Sequence, residues 1–255
     1  MIKLEELKNN KIMVEWELTT FCNFKCPYCY LPNLKCELSE NKLEEFIKKL
    51  PKDVEIFCFG GEPFLHPKIY FIIDKLIRYN KKFIFQTNAS NKTVNILKKI
   101  KVPLTIQISV HPTEITKNNI KKNIATILKY HSIRRIDIMY VGKETLKYYF
   151  GIKNILESIK ILPVNGFYEE KSNKLLNEFI LMKKKFKSLP FEDHIIGSKP
   201  RSIWWKDFND GKITTYNNVC LYPNYILYSS DLSIYNCCYR KNTNGICKNT
   251  KCFLM

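Results

Sequence analysis

Ten of the 255 residues are cysteines, and they fall into two groups with one apart. Near the start, Cys22-Asn23-Phe24-Lys25-Cys26-Pro27-Tyr28-Cys29 spaces three thiols as C-x3-C-x2-C. Three thiolates on one short loop can converge on a single inorganic cluster, and three are too few to fill a [4Fe–4S] cluster, so one iron stays open to a small molecule. The alternatives are a zinc site with Cys36 as fourth ligand and a set of unpaired core cysteines; zinc ribbons normally come as paired C-x2-C knuckles. Near the end, Cys220, Cys237, Cys238, Cys247 and Cys252 supply a second set of thiols. Four of them suffice for another Fe–S cluster, or for four-thiolate zinc. Cys58 sits in an apolar run and reads as core. His66, His111, His131 and His194 show no metal-ligand spacing.

The elements that must position these groups alternate. Residues 12–19 are β-prone and run straight into the first cysteine loop. Ser39 has the N-cap chemistry for a helix over 42–50, where Leu43, Phe46, Ile47 and Leu50 fall at helical spacing and Pro51 ends the run. A second strand over 54–59 closes on Gly60-Gly61. A helix over 67–78 starts with proline in its first turn. Strands over 82–87, 104–110 and 136–140 then alternate with helices over 92–100, 116–130 (capped by Thr116) and 144–159. Residues 161–164 are a weaker sixth strand because of Pro163, and 172–187 form a helix with a basic face. Strands alternating with helices of this length imply βαβ units and a parallel sheet. Five or six units are too few for an eight-fold barrel. Beyond Pro190 the chain is rich in turns and aromatics and holds half the cysteines, so the expected division is 1–189 and 190–255. Within the second part, 225–236 reads as a β-hairpin turning at 229–231, which brings Cys220 and Cys237 together. Trp204-Trp205 and Phe208 read as packing residues.

The thiol loop, with Tyr28 before its last cysteine and the first strand before it, resembles that of the radical S-adenosylmethionine (radical SAM) enzymes. Gly60-Gly61-Glu62-Pro63 after the second strand matches the family's GGEP motif. The resemblance covers residues 11–188 and implies an α/β fold, a partial (β/α)6 TIM-type barrel with a small C-terminal Cys-rich module. It implies a [4Fe–4S] cluster on Cys22, Cys26 and Cys29, with S-adenosylmethionine held along Gly60, Gly61, Glu62 and Pro63. Asn88, in a Thr87-Asn88-Ala89 similar to the family's TNG, and Ser109, at the end of the fourth strand, are implied cofactor contacts, as is Tyr28 near the adenine. Val141-Gly142 is a weaker adenine-side contact. In the family the reduced cluster cleaves the cofactor to a 5′-deoxyadenosyl radical, which takes a hydrogen atom from substrate; flavodoxin or ferredoxin is the implied electron donor. The C-terminal cysteines resemble the auxiliary-cluster modules called SPASM and twitch, although Asp231-Leu232 stands where Asp-Gly is usual. The one-cluster twitch form fits best, with Cys220, Cys237, Cys247 and Cys252 as ligands and Cys238 as the alternate. Glu15, Glu17 and Gln107 are candidates to face substrate.

Composition narrows the rest. With 45% hydrophobic and 26% charged residues the chain is neither disordered nor collagen-like. No apolar run is long enough for a transmembrane helix, and Met1-Ile2-Lys3-Leu4 opens no signal-peptide core, so a cytoplasmic protein with no membrane partner is expected. The net charge of +18 could attract nucleic acid. Only Arg78, Arg134, Arg135, Arg201 and Arg240 carry guanidinium groups, however, and arginine does the bidentate work of phosphate and base recognition. Nucleic acid is therefore not an expected partner. The first functional reading is a radical SAM enzyme that oxidises or rearranges a small molecule. The second is modification of a peptide or protein, without an N-terminal recognition domain because the barrel begins near residue 12. RNA modification comes third, and a non-enzymatic Fe–S or zinc protein is disfavoured by the GGEP motif.

Overall fold

A computed structural model describes residues 13–27, 29, 31, 33–34, 38–139, 141–142, 145–153, 160–162, 173–185, 195–196, 199–200, 225–232 and 234–235. Tyr28, Cys36, Trp204, Trp205, Phe208 and all five C-terminal cysteines lie outside these. The chain forms two compact units, one from residues 1–23, 31–86 and 216–254, the other from 24–30, 87–215 and 255.

In the first unit, β1 (Met13–Thr19), α1 (Glu40–Lys49), β2 (Glu55–Gly60) and α2 (Ile69–Arg78) lead to β3 (Lys82–Thr87). The strands β1, β2 and β3 pair in parallel, with Trp16 level with Cys58 and Glu17 with Phe59. Alternation sends Val14, Trp16 and Leu18 to one face, where the Trp16 ring lies 4.8 Å from that of Phe46 on α1. Ser39 caps α1 as expected, its hydroxyl accepting from the Lys42 N–H. The other end of α1 is closed from a distance: the buried Lys81 ammonium donates to the carbonyls of Lys48 and Leu50, a cation at the negative end of the helix dipole. The two helices are clipped by Glu44, which accepts from the Tyr79 hydroxyl and lies 3.0 Å from Lys75 Nζ.

The second unit continues the pattern with α3 (Asn91–Leu97), β4 (Thr105–Val110), α4 (Lys117–Ile127), β5 (Ser132–Ile138), α5 (Thr145–Lys153), β6 (Lys160–Leu162) and α6 (Asn173–Lys185). A two-residue antiparallel pair follows, β7 (Ile195–Ile196) with β8 (Lys199–Pro200). Strands β4, β5 and β6 pair in parallel, and Ile106, Ile108, Ile133, Ile136 and Ile138 are buried with Ile120, Ile124 and Ile127 of α4. Thr116 caps α4 as its sequence implies. One boundary needs correction: β5 begins at Ser132, four residues before the expected start. Within the added stretch, the Arg135 Nε donates to Asp137 Oδ1 at 2.6 Å, and Gln107 of β4 donates to the other oxygen at 2.6 Å.

The last described strands, β9 (Tyr225–Tyr228) and β10 (Ile234–Tyr235), belong to the first unit. They form the expected antiparallel hairpin, and β9 also pairs in parallel with β1. The turn closes through the Leu232 N–H on the Ser229 carbonyl at 2.9 Å, with Leu232 at φ 68°. The usual glycine is absent, but its left-handed backbone is kept. The fold class is α/β, made of the consecutive βα units of a partial (β/α)6 TIM-type barrel. Among the described residues no helix is long and apolar enough to cross a membrane.

Candidate active site

In the first unit, the chain leaving β2 runs beside the chain leaving β1. The Gly61 N–H donates to the Thr19 carbonyl at 2.6 Å and the Glu62 N–H to the Phe21 carbonyl at 2.9 Å. Parallel pairing thus continues past the strand ends as far as the residue before Cys22. A Cβ on Gly60 would lie 2.2 Å from the Thr19 oxygen, and one on Gly61 2.4 Å from the Phe21 oxygen. This close approach is to the protein's own backbone at the root of the thiol loop. The loop is tied again further on, where the Cys22 N–H donates to Asn33 Oδ1 at 2.8 Å and the Thr20 hydroxyl to the Leu34 carbonyl at 2.9 Å.

Glu62 is fully buried and accepts from the Phe64 N–H at 3.2 Å, capping a single 3-10 turn over Pro63–Leu65. His66 ends that turn. It is 3% exposed, and its Nδ1 accepts from the Lys68 N–H at 3.1 Å. Burial, helped by the Lys68 charge, brings its imidazole down to about 4. An unfolded histidine titrates near 6.5, so the folded chain holds fewer protons than the unfolded one between these values. This contribution to stability is complete above about pH 6.5 and is lost as pH falls towards 4; at 1.36 kcal/mol per unit it reaches about 3 kcal/mol. In urea unfolding, His66→Asn, which retains an acceptor but no titration, should lose less stability than wild type between pH 7.5 and 5. Equal losses would refute the assignment.

Also in this unit, Glu17 lies level with Phe59 on β2. Burial raises its carboxyl above the ordinary range, against the opposing hydrogen bonds from Ser230, while Asp231 raises it further.

The second unit holds the rest of the predicted set. Cys26 is half-buried and Cys29 exposed, with the Cys29 N–H donating to the Cys26 carbonyl at 3.0 Å across Pro27. His111, which follows β4, places Nδ1 3.5 Å from the Cys26 sulfur, and its ring stands edge-on to Phe24 at 6.0 Å. Burial lowers the His111 imidazole to about 4, so the ring is neutral at pH 7. Asn88 Oδ1 accepts from the Ser90 N–H at 2.9 Å, and Ala89 sits at φ 48°, again the backbone of a missing glycine. Ser109 is 6% exposed, and its hydroxyl has no hydrogen-bond partner among the described residues. Spacing rules gave His111 no role because its partner is 85 residues away. The one usable signal was its place just beyond the carboxyl end of a barrel strand, where sites of such folds gather.

The donor set fits the cofactors the motifs imply. Cys22, Cys26 and Cys29 form no disulfide among the described residues. A buried hydroxyl without a partner is rare enough to mark a place where a ligand supplies one, and Ser109 is such a group among the described residues. Among the described residues no three His, Cys, Asp or Glu side chains converge on a metal position.

The chain is a partial α/β barrel with three cysteines on the loop that follows its first strand. A family model described as the Radical SAM superfamily matches residues 16–148, half of the chain, and the chain belongs to that superfamily. The family's cofactors are a [4Fe–4S] cluster and S-adenosylmethionine. Among relatives, the antilisterial bacteriocin subtilosin biosynthesis protein AlbA of Bacillus subtilis is 32% identical over 103 residues, 37% of this chain and 23% of AlbA. An uncharacterised protein of Methanocaldococcus jannaschii is 25% identical over 205 residues, 64% of this chain and 69% of its own. Among solved structures, Streptococcus suis SuiB bound to its precursor peptide SuiA matches with TM-score 0.57 and 16% identity, over 94% of this chain and 64% of SuiB. anSMEcpe with bound AdoMet and a Cp18Cys peptide matches with TM-score 0.51 and 15% identity, over 93% of this chain and 77% of its own. The chain therefore spans less than a quarter of AlbA and less than two thirds of SuiB.

Proposed function

We propose that this chain is a radical SAM enzyme that modifies a peptide. The observation that carries the peptide reading is the 32% identity over 103 residues to a bacteriocin biosynthesis protein. The likeness in fold to SuiB and anSMEcpe, both solved with peptides, agrees with it. The small-molecule reading, placed first from the sequence, has no comparable support.

In this reading Cys22, Cys26 and Cys29 hold the cluster. Ser109 gives its buried hydroxyl to S-adenosylmethionine, and Gly60, Gly61, Glu62, Pro63, Asn88 and Tyr28 complete the cofactor's surroundings. When bound, cluster and cofactor together supply a 5′-deoxyadenosyl radical that removes a hydrogen atom from substrate. The protein's own part is to place the cofactor and exclude water. The thiol loop does the first through its ties to Gly61 and Glu62, which fix its root on two strands instead of one. Residues 1–189 form the barrel, and 190–255 an auxiliary module with Cys220, Cys237, Cys247 and Cys252, or Cys238, around a second cluster. Flavodoxin or ferredoxin is the class of electron donor.

The test is anaerobic. Reconstituted protein should bind roughly eight irons, as two four-iron clusters require, and should form 5′-deoxyadenosine faster when given a short precursor peptide encoded beside its gene. Deuterium from a labelled peptide should appear in that product. Stimulation by a sugar or cyclitol alone would overturn the peptide reading, and no product under any condition would overturn the enzyme.

A further inference from the structure

The loop between β4 and α4 grips the thiol loop at two points. His111 Nδ1 lies 3.5 Å from the Cys26 sulfur, and Glu114 Oε2 accepts from the Lys25 backbone N–H at 3.2 Å. Phe24 adds an edge-on ring contact to His111. Three successive residues of the thiol loop, 24 to 26, thus meet the same few residues of a second loop, all within one compact unit.

The gripping loop is itself held. The N–H groups of Glu114 and Ile115 donate to the His111 carbonyl at 2.9 and 3.2 Å, and the Met139 N–H donates to the Val110 carbonyl at 2.9 Å. From α5, the Tyr148 hydroxyl reaches the carbonyls of Ile115 at 2.7 Å and Pro112 at 3.2 Å. His111 therefore approaches Cys26 from a braced position, not as a freely turning surface ring.

We infer that His111 is a positioning residue for the cluster, donating an Nδ1–H hydrogen bond to the Cys26 thiolate and so setting both the place of that ligand and the cluster's reduction potential. This rests on the reading of Cys26 as a cluster ligand. Hydrogen bonds to cluster sulfurs draw off negative charge, and they are among the factors that set the potential of Fe–S clusters. Reduction adds one electron, from an external reductant, and places more charge on the sulfurs. A donor facing one of them stabilises the reduced form more than the oxidised form. No bond is made or broken in the couple, and the imidazole keeps its proton.

The experiment is a mediated redox titration of the reconstituted full chain, followed by the electron paramagnetic resonance of the reduced cluster. His111→Leu removes the donor; His111→Asn puts an amide near the place of Nδ1. Loss of the donor should make one-electron reduction about tenfold less favourable, 59 mV more negative for a one-electron couple, and the asparagine variant should recover most of this. Two variants titrating at the wild-type potential with full iron would overturn the inference. A loading defect in the leucine variant leaves a second measurement on the wild type. Protein labelled with 15N-histidine should show a nitrogen coupling to the reduced cluster in pulsed resonance, and absence of that coupling would overturn the inference. Failure of the underlying reading looks different: Cys26→Ala would then keep its iron and its reduced-cluster signal.

Discussion

Cys26→Ala, and separately Cys22→Ala and Cys29→Ala, will lose the barrel cluster and with it S-adenosylmethionine cleavage. Changes to groups that merely support a metal ligand typically cost 10–100-fold. Loss of one of only three protein ligands should cost more, so 5′-deoxyadenosine formation should fall by more than about a hundredfold. Iron should drop by roughly four per chain, leaving any auxiliary cluster in place. Cys58→Ala is the contrasting case. That thiol too forms no disulfide, but it is fully buried on β2, and burial alone pushes its ionisation far above the ordinary range. Only a thiolate ligates iron, so Cys58 should contribute none. Its alanine variant should keep full iron and activity while losing about 1 kcal/mol of stability from the small cavity. Iron assay and product chromatography on the four variants decide the matter. A Cys29→Ala enzyme that still makes 5′-deoxyadenosine at wild-type rate would break the assignment, as would a Cys58→Ala enzyme without iron.

The legible features were those whose cause is local. Ser39 and Thr116 cap the helices they precede because a short hydroxyl side chain can reach an N–H three residues on. The hairpin around 229–231 follows from two apolar runs with a polar turn between them. The thiol loop and GGEP were visible as motifs, since each is contiguous. The features that escaped depend on something the string does not contain. Ala89 and Leu232 looked like departures from glycine patterns, yet both adopt the left-handed backbone that glycine would supply, at φ 48° and 68°. Neighbouring structure there holds a conformation the residue itself disfavours. The start of β5 was missed because charged Arg134 and Arg135 break the apolar run, while in the fold Asp137 and Gln107 supply a network for Arg135. His111 was passed over because proximity to Cys26 arises only after the three units from α1 to β4 have folded. The GGEP glycines, besides the cofactor contact that the resemblance implies, lie close against the backbone of residues 19–21, a contact the string does not display and one with the larger experimental consequence.

Gly60→Ala and Gly61→Ala should be among the most damaging single substitutions, and their damage should appear in iron loading as well as in stability. At Gly60 two costs add. A methyl group would stand 2.2 Å from the Thr19 oxygen, and the backbone sits at φ 138°, which L-residues rarely adopt. Overpacking costs about 1–3 kcal/mol and a strained backbone about 1–3 kcal/mol more, so roughly 2–6 kcal/mol is expected. Gly61 carries only the steric part, against the oxygens of Phe21 at 2.4 Å and Thr20 at 2.5 Å, or about 1–3 kcal/mol. Neither clash can be relieved by turning a side chain, because every atom met is backbone. The relief available is for residues 19–21 to move away from the strand end, and residue 22 is the first thiol. Movement would also break the hydrogen bonds from Gly61 and Glu62 that hold the loop root. Thermal unfolding should therefore rank Gly60→Ala below Gly61→Ala and both below wild type. Iron assayed at a temperature where each variant is still folded should fall in the same order. A ligand-facing role for these glycines predicts something else: stability near wild type, full iron, and weakened S-adenosylmethionine binding alone. Equilibrium binding of the cofactor to the iron-loaded variants separates the two, and a Gly61→Ala protein with wild-type melting and full iron would show that the close approach to Thr19–Phe21 is not what the glycine is for.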